Sequence, residues 1–198
     1  VTDNLGLDSV TCDNAAVVTI IAKPEEAILV QLSWRTPGDM NETDRDGTDL
    51  DLHLLHPNAQ NWGNANRFEP YDCYFKNPVP DWGQLENEAD DPSLDIDDLN
   101  GSGPENVTLA VPEDTGALRA PYLIGVQYYK SVGRQTGNDY GASFARLRVY
   151  LRGELAWEYG GQADCADCQQ GERKMEAAGH FWDVASIQWP GIEGEEQI

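Results

Sequence analysis

The sequence predicts an all-β protein, an antiparallel β-sandwich of about eight to nine strands in a jelly-roll or Ig-like arrangement, with little helix. Apolar and polar residues alternate in several short runs, and Asn, Gly and Pro residues separate those runs. The long heptad-like stretches that announce helices are missing. In chain order the strands fall at 15–22, 27–34, 48–55, 72–75, 106–111, 121–129, 143–151, 154–159 and 181–189. Each is five or more residues of alternating or continuous apolar character except 72–75, which is short. Only 171–178 has helix-favouring composition, and it is short enough to be an insertion loop. A chain of 198 residues suffices for one sandwich with a fragment of a neighbour.

Composition narrows the function classes. Thirteen Lys and Arg against thirty-five Asp and Glu give a formal charge of -22, which repels nucleic acid and anionic lipid and attracts divalent cations or basic partners. The longest apolar run, Ala27 to Val30, is far short of the roughly 20 residues of a membrane span, so no membrane insertion is expected. The acidic surface, six Trp, eight Tyr and few Lys fit an extracellular or cell-surface protein in which disulfides persist. The chain opens on Val1 without a basic, apolar leader, as a mature or excised segment of a longer product does.

Two stretches carry a resemblance. "VTDNLGLDSVTC" followed by "VVTIIA" resembles the last strands of a PKD-type immunoglobulin-like repeat. "AILVQLSW", "DLDLHLLHP", "YDCYFKNPVPDWG", "DDPSLDIDDLNGSGPEN", "YLIGVQYY", "ARLRVYL" and "FWDVASIQWP" together resemble an uncharacterised domain that follows PKD-like repeats in large predicted surface proteins of Gram-negative bacteria. The resemblance implies a β-sandwich on the bacterial exterior and supplies no established activity. It divides the chain into a terminal PKD/Ig-like strand or donor strand with its linker (1–24), a β-sandwich (25–191) and an acidic tail (192–198). A single strand cannot bury itself, so 15–22 is expected to pack on the sandwich or to pair with another chain by strand addition. The segment 160–180 departs from the family pattern by its length.

The strongest chemical signal is the window Glu86 to Asp98, with seven carboxylates in thirteen residues and no Lys or Arg between Lys76 and Arg119. Such close anions must be solvated or neutralised by a cation, and calcium suits hard oxygen ligands on flexible loops. In an extended segment Asp95 and Asp97 share a side and Asp98 takes the other. Gly101 and Gly103 permit a turn that returns Glu105. On the strand at 48–55, Leu50, Leu52 and Leu54 face the core, which leaves Asp49, Asp51 and His53 on the opposite face, where the two acids can meet the 90–98 loop. The expected Ca2+ ligands are Asp49, Asp51, Asp95, Asp97 and Glu105, with Asp91 and Asp98 in reserve. The alternative is that these are solvated loop acids.

The remaining constellations are weaker. His53 and His56 point to opposite faces of a strand and read as structural histidines rather than a zinc pair. Cys165 and Cys168 lie in loop composition, as a small disulfide staple would, which leaves Cys12 and Cys73 to pair with each other. Trp62 and Trp82, in Asn/Gly-rich loops, are candidate glycan contacts, so a carbohydrate-binding module is the second reading. A glycoside hydrolase is the third; its acids need one raised pKa in an apolar cleft, which a hydrated cluster does not suggest, and no hydrolase elbow, metalloprotease pair or P-loop is present. The leading expectation is a non-enzymatic, calcium-binding, structural or adhesive module of a surface or fibre protein. Its partners are other domains of that protein or copies of itself, and glycans in the second reading.

Overall fold

A computed structural model describes residues 25–44, 46–64, 67–99, 101–115, 120–159 and 171–189. Among the described residues ten strands are formed: β1 (Ile28–Arg35), β2 (Asp49–Leu55), β3 (Asp72–Cys73), β4 (Ser93–Leu94), β5 (Glu105–Leu109), β6 (Tyr122–Lys130), β7 (Ser143–Leu151), β8 (Glu154–Glu158), β9 (Arg173–Met175) and β10 (Phe181–Ile187). They pair antiparallel in two sheets. One runs β4-β5-β1-β7-β8, with β9 also on β7; the other runs β10-β6-β2-β3. The protein is therefore an all-β sandwich. No described helix is long and apolar enough to cross a membrane.

Period-two patterning builds the core. Ile28, Val30, Leu32 and Trp34 of β1 face inward with Val107 and Leu109 of β5 and Ala145, Leu147 and Val149 of β7. They meet Leu50, Leu52 and Leu54 of β2 and Tyr122, Ile124, Val126 and Tyr128 of β6. The intervening residues of the first sheet stay at the surface, where Arg35 reaches Glu172 at 2.7 Å and Arg148 reaches Glu158 at 2.8 Å. Hydroxyls close one end of the core. Thr36 Oγ1 lies 2.7 Å from both Thr48 Oγ1 and Ser143 Oγ, and Tyr128 donates to the Gly141 carbonyl at 2.5 Å.

Two strands escaped the sequence reading. β4 has only two residues, paired with Val107 and Thr108 of β5, too few to show a period. β9 lies inside the stretch of helix-favouring composition; pairing Ser143–Ala145 with Arg173–Met175 and burying Met175 override that weak preference. β2 differs most from an ordinary sandwich strand, because its residues are buried on both faces.

The expected Cys12–Cys73 bridge is not formed. Cys73 is a free, fully buried thiol whose Sγ donates to the Pro78 carbonyl at 3.4 Å, and burial pushes its pKa up, which leaves it a small apolar filler. Cys12, Cys165, Cys168, the strand expected at 15–22 and the acidic tail lie outside the described residues.

Leu52→Ala removes a side chain with no exposure from between the sheets, and is expected to lower unfolding free energy by about 2–5 kcal/mol in urea titration. Leu155→Ala, at a half-exposed surface position, is expected to change it by no more than about 0.5 kcal/mol.

Candidate metal centre

β2 lies between β6 and β3, but β3 covers only Leu54 and Leu55, so the N-terminal half of β2 has an open edge. Glu105, the first residue of β5, closes it. Its Oε2 accepts the Leu52 N–H at 2.8 Å and its Oε1 accepts the Asp98 N–H at 3.0 Å. Gly101 and Gly103 make this approach possible. Both hold positive φ (112° and 71°), and a Cβ on Gly103 would stand 2.9 Å from the Trp34 ring. One carboxylate thus joins the two sheets and fixes the loop between β4 and β5.

That loop delivers Asp97 to Asp49 and Asp51, and one carboxylate oxygen from each lies within 4.8 Å of the others. Asp97 is exposed, whereas Asp49 and Asp51 are only 2% and 1% exposed. Asp49 Oδ1 and Asp51 Oδ2 are buried with no hydrogen-bond partner. Burying a polar oxygen in this way costs on the order of 1–3 kcal/mol, and more when it is charged.

Electrostatics follow from that geometry. Burial raises the Asp51 pKa to about 8, with Asp49 and Asp97 adding repulsion against the pull of Lys76. Burial and Asp97 raise Asp49 to about 7, opposed by Arg134 and Lys130. Burial also raises Asp97, and it lifts Glu105 to about 9 although the Leu52 N–H favours the anion. Arg134 is placed by Asp46, which lies under the β6–β7 loop. Asp46 accepts the Gln135 N–H at 2.6 Å, the Thr136 N–H at 3.1 Å and the Tyr140 hydroxyl at 3.0 Å. Hydrogen bonds from Thr136 and Gln135 hold the Asp46 pKa down at about 2.

No family model, curated protein or solved structure matches this chain.

Of the seven acids expected at a metal, Asp49, Asp51 and Asp97 converge. Asp98 stands close enough to act electrostatically on Asp49 and Asp97. Glu105 borders the group, with each of its oxygens accepting a backbone N–H. The other two serve as loop staples. Asp95 accepts the Asn106 N–H at 2.9 Å and the Asn106 side-chain amide at 2.7 Å, and Asp91 accepts the Trp82 N–H at 2.7 Å. The reason is local: each has backbone N–H groups in reach, and a carboxylate that is satisfied by the chain itself has no need of an ion.

The pair of glycan platforms does not form. Trp82 is 4% exposed in the core and donates Nε1 to the Pro70 carbonyl at 2.8 Å, while Trp62 is half-buried edge-on against Phe181. Both histidines near β2 are buried and paired with acids: His53 Nδ1 with Asp72 at 3.0 Å, His56 Nε2 with Glu113 at 3.0 Å. Sequence reasoning missed the His53–Asp72 pair, which needs the β2–β3 pairing, and the structural use of Glu105. A signal for the latter existed, because Glu105 occupies the inward register of Val107 and Leu109.

The acidic group sets a pH dependence. In the unfolded chain these carboxyls titrate near about 4, but Asp49, Asp51 and Glu105 titrate at about 7, 8 and 9 in the fold. The metal-free fold holds protons that the unfolded chain has lost, so its stability falls as pH rises from about 4 through 9. Asp46, with its lowered pKa, contributes stability that is already complete above about 4 and does not alter the window. In EDTA the Tm is expected to drop between pH 5.5 and 8.5, and Asp51→Asn to flatten that drop and raise the Tm at pH 8.5. A wild-type Tm that is constant or rises across this range contradicts the placement.

Proposed function

We propose that this domain is a calcium-binding structural module of a larger extracellular protein. The observation that carries the reading is the convergence of three carboxylates, two of them buried with unpartnered oxygens. Buried anions of like charge in such a group are relieved by a proton or by a cation, and at neutral pH a divalent ion relieves all three at once. Oxygen-only donors exclude a soft-metal preference, and a loop-borne, exposed Asp97 suits calcium better than the rigid octahedron that magnesium demands.

A cation there has a mechanical role. Asp49 and Asp51 belong to the β10-β6-β2-β3 sheet, whereas Asp97 lies between two strands of the other sheet. The ion joins the sheets at the edge where Glu105 already bridges them. That stiffens the domain, as a module in a fibre or adhesin requires. The net charge of -22 and the resemblance to surface domains support placement outside the cell. β10, at the edge of its sheet, offers a site at which another domain or a second copy can add a strand.

The test is thermal melting after EDTA treatment, with calcium and magnesium titrated separately. At free calcium one hundred times the Kd, binding to the folded state alone adds about 2.7 kcal/mol, which in a domain of this size raises Tm by roughly 5–10 °C. Magnesium at equal concentration is expected to give less than half of that rise, and Asp51→Asn to abolish it. No calcium-dependent rise at pH 7.5 rejects the reading.

A further inference from the structure

The chain contains the pattern Asn-x-Ser/Thr at Asn41, Asn100 and Asn106. This is the acceptor pattern for N-linked oligosaccharide on the surface loops of exported proteins, and it is usable only where the asparagine amide and the hydroxyl two residues on are both open. Asn100 lies outside the described residues. The fold separates the other two.

Asn106 belongs to β5, which is paired on both sides, with β4 and with β1. Its Oδ1 accepts the Gln31 side-chain amide at 3.0 Å, and its Nδ2 donates to Asp95 at 2.7 Å. The Thr108 hydroxyl donates to the Ser93 carbonyl at 3.4 Å. A transferase could reach this amide and hydroxyl only by taking the sheet apart.

Asn41 lies in the loop between β1 and β2, where two turns follow each other. The Asp39 N–H donates to the Thr36 carbonyl at 2.8 Å and the Asp44 N–H to the Asn41 carbonyl at 3.1 Å. The base of the loop is held from inside. Asp39 is buried and accepts the Asn41 N–H at 2.9 Å, and the Glu42 carboxylate accepts the Thr36 N–H. The tip is open: Asn41, Thr43 and Asp44 are exposed, and Met40 is 96% exposed. The Thr43 hydroxyl donates to Asn41 Oδ1 at 2.9 Å, so the two groups of the pattern already face each other. Nδ2 gives one of its two hydrogens to Asp44 Oδ2 at 3.1 Å and keeps the other.

We propose that Asn41 is an acceptor for an N-linked oligosaccharide, an inference that rests on the extracellular placement and not on the calcium site. The donor class is an oligosaccharide on a polyprenyl diphosphate, presented by an oligosaccharyltransferase. Asn41 Nδ2 bonds to the anomeric carbon as the bond from that carbon to the diphosphate oxygen breaks. The diphosphate leaves with the bonding pair, and one amide proton passes to a carboxylate of the transferase. The product amide retains one N–H, enough to keep the bond to Asp44.

Transfer onto the purified, folded full chain tests this, with a single-subunit bacterial oligosaccharyltransferase, a lipid-linked oligosaccharide of known mass, and the peptide 37–45 as the unfolded control. Intact mass is expected to rise by the donor glycan, and peptide mapping to place that glycan on Asn41. Asn41→Gln and Thr43→Ala should each abolish the modification at this loop, and Asn106→Gln should retain it. Both exposed positions should accept these changes with the Tm unchanged. A glycan that maps to Asn106 or Asn100 instead of Asn41 overturns the inference. So does an unmodified chain, whether the peptide is modified, which shows that the fold closes the loop, or is not, which shows that these residues fail as an acceptor. None of these outcomes bears on calcium binding, which the melting experiment reads separately.

Discussion

Two carboxylates that the fold buries and does not satisfy are the constraint on which the rest depends. Asp49 and Asp51 occupy the face of β2 that a sandwich strand ordinarily gives to water, and here that face is covered. An acid in this position is held either neutral, at the cost of a pKa near 7 or 8, or charged beside a cation. On the proposed calcium reading, folding and ion binding are one equilibrium, and the stability of the domain depends on what the surrounding solution supplies.

The neighbouring structure makes that coupling directional. Glu105 caps the open edge of β2 by accepting the Leu52 N–H, and by accepting the Asp98 N–H it fixes the loop that brings Asp97 across from the other sheet. Asp46 does the same for the β6–β7 loop and so holds Arg134 near the acids without neutralising them. The cationic side chains that act on the group come from three segments, Lys76 after β3, Lys130 at the end of β6 and Arg134 beyond it. They lower the repulsion without closing an ion pair on Asp49 Oδ1 or Asp51 Oδ2.

Most of the fold was legible because β1, β2 and β7 alternate in sequence and β6 and β10 are apolar-rich runs bounded by turn residues. β1, β2, β6, β7 and β10 appear in the sequence within about two residues of their bounds. β4 and β9 were not, because two or three residues carry no period and their pairing partners decide them. The site was half legible. Alternation placed Asp49 and Asp51 on one face, and turn glycines placed the 90–98 loop near them. Spacing alone could not say which loop acids find backbone N–H partners, and that is what separates Asp97 from Asp91 and Asp95. Trp82 failed as a surface candidate because its loop folds inward over Tyr122 and His56, a long-range fact that local composition does not hold.

The most direct measurement is a high-resolution crystal structure of the protein grown with calcium at neutral pH. The account requires an ion between β2 and the β4–β5 loop, with oxygens of Asp49, Asp51 and Asp97 at about 2.3–2.6 Å from it. Water or the Lys76 ammonium in that position, with the three carboxylates turned apart at the same calcium concentration, would contradict it.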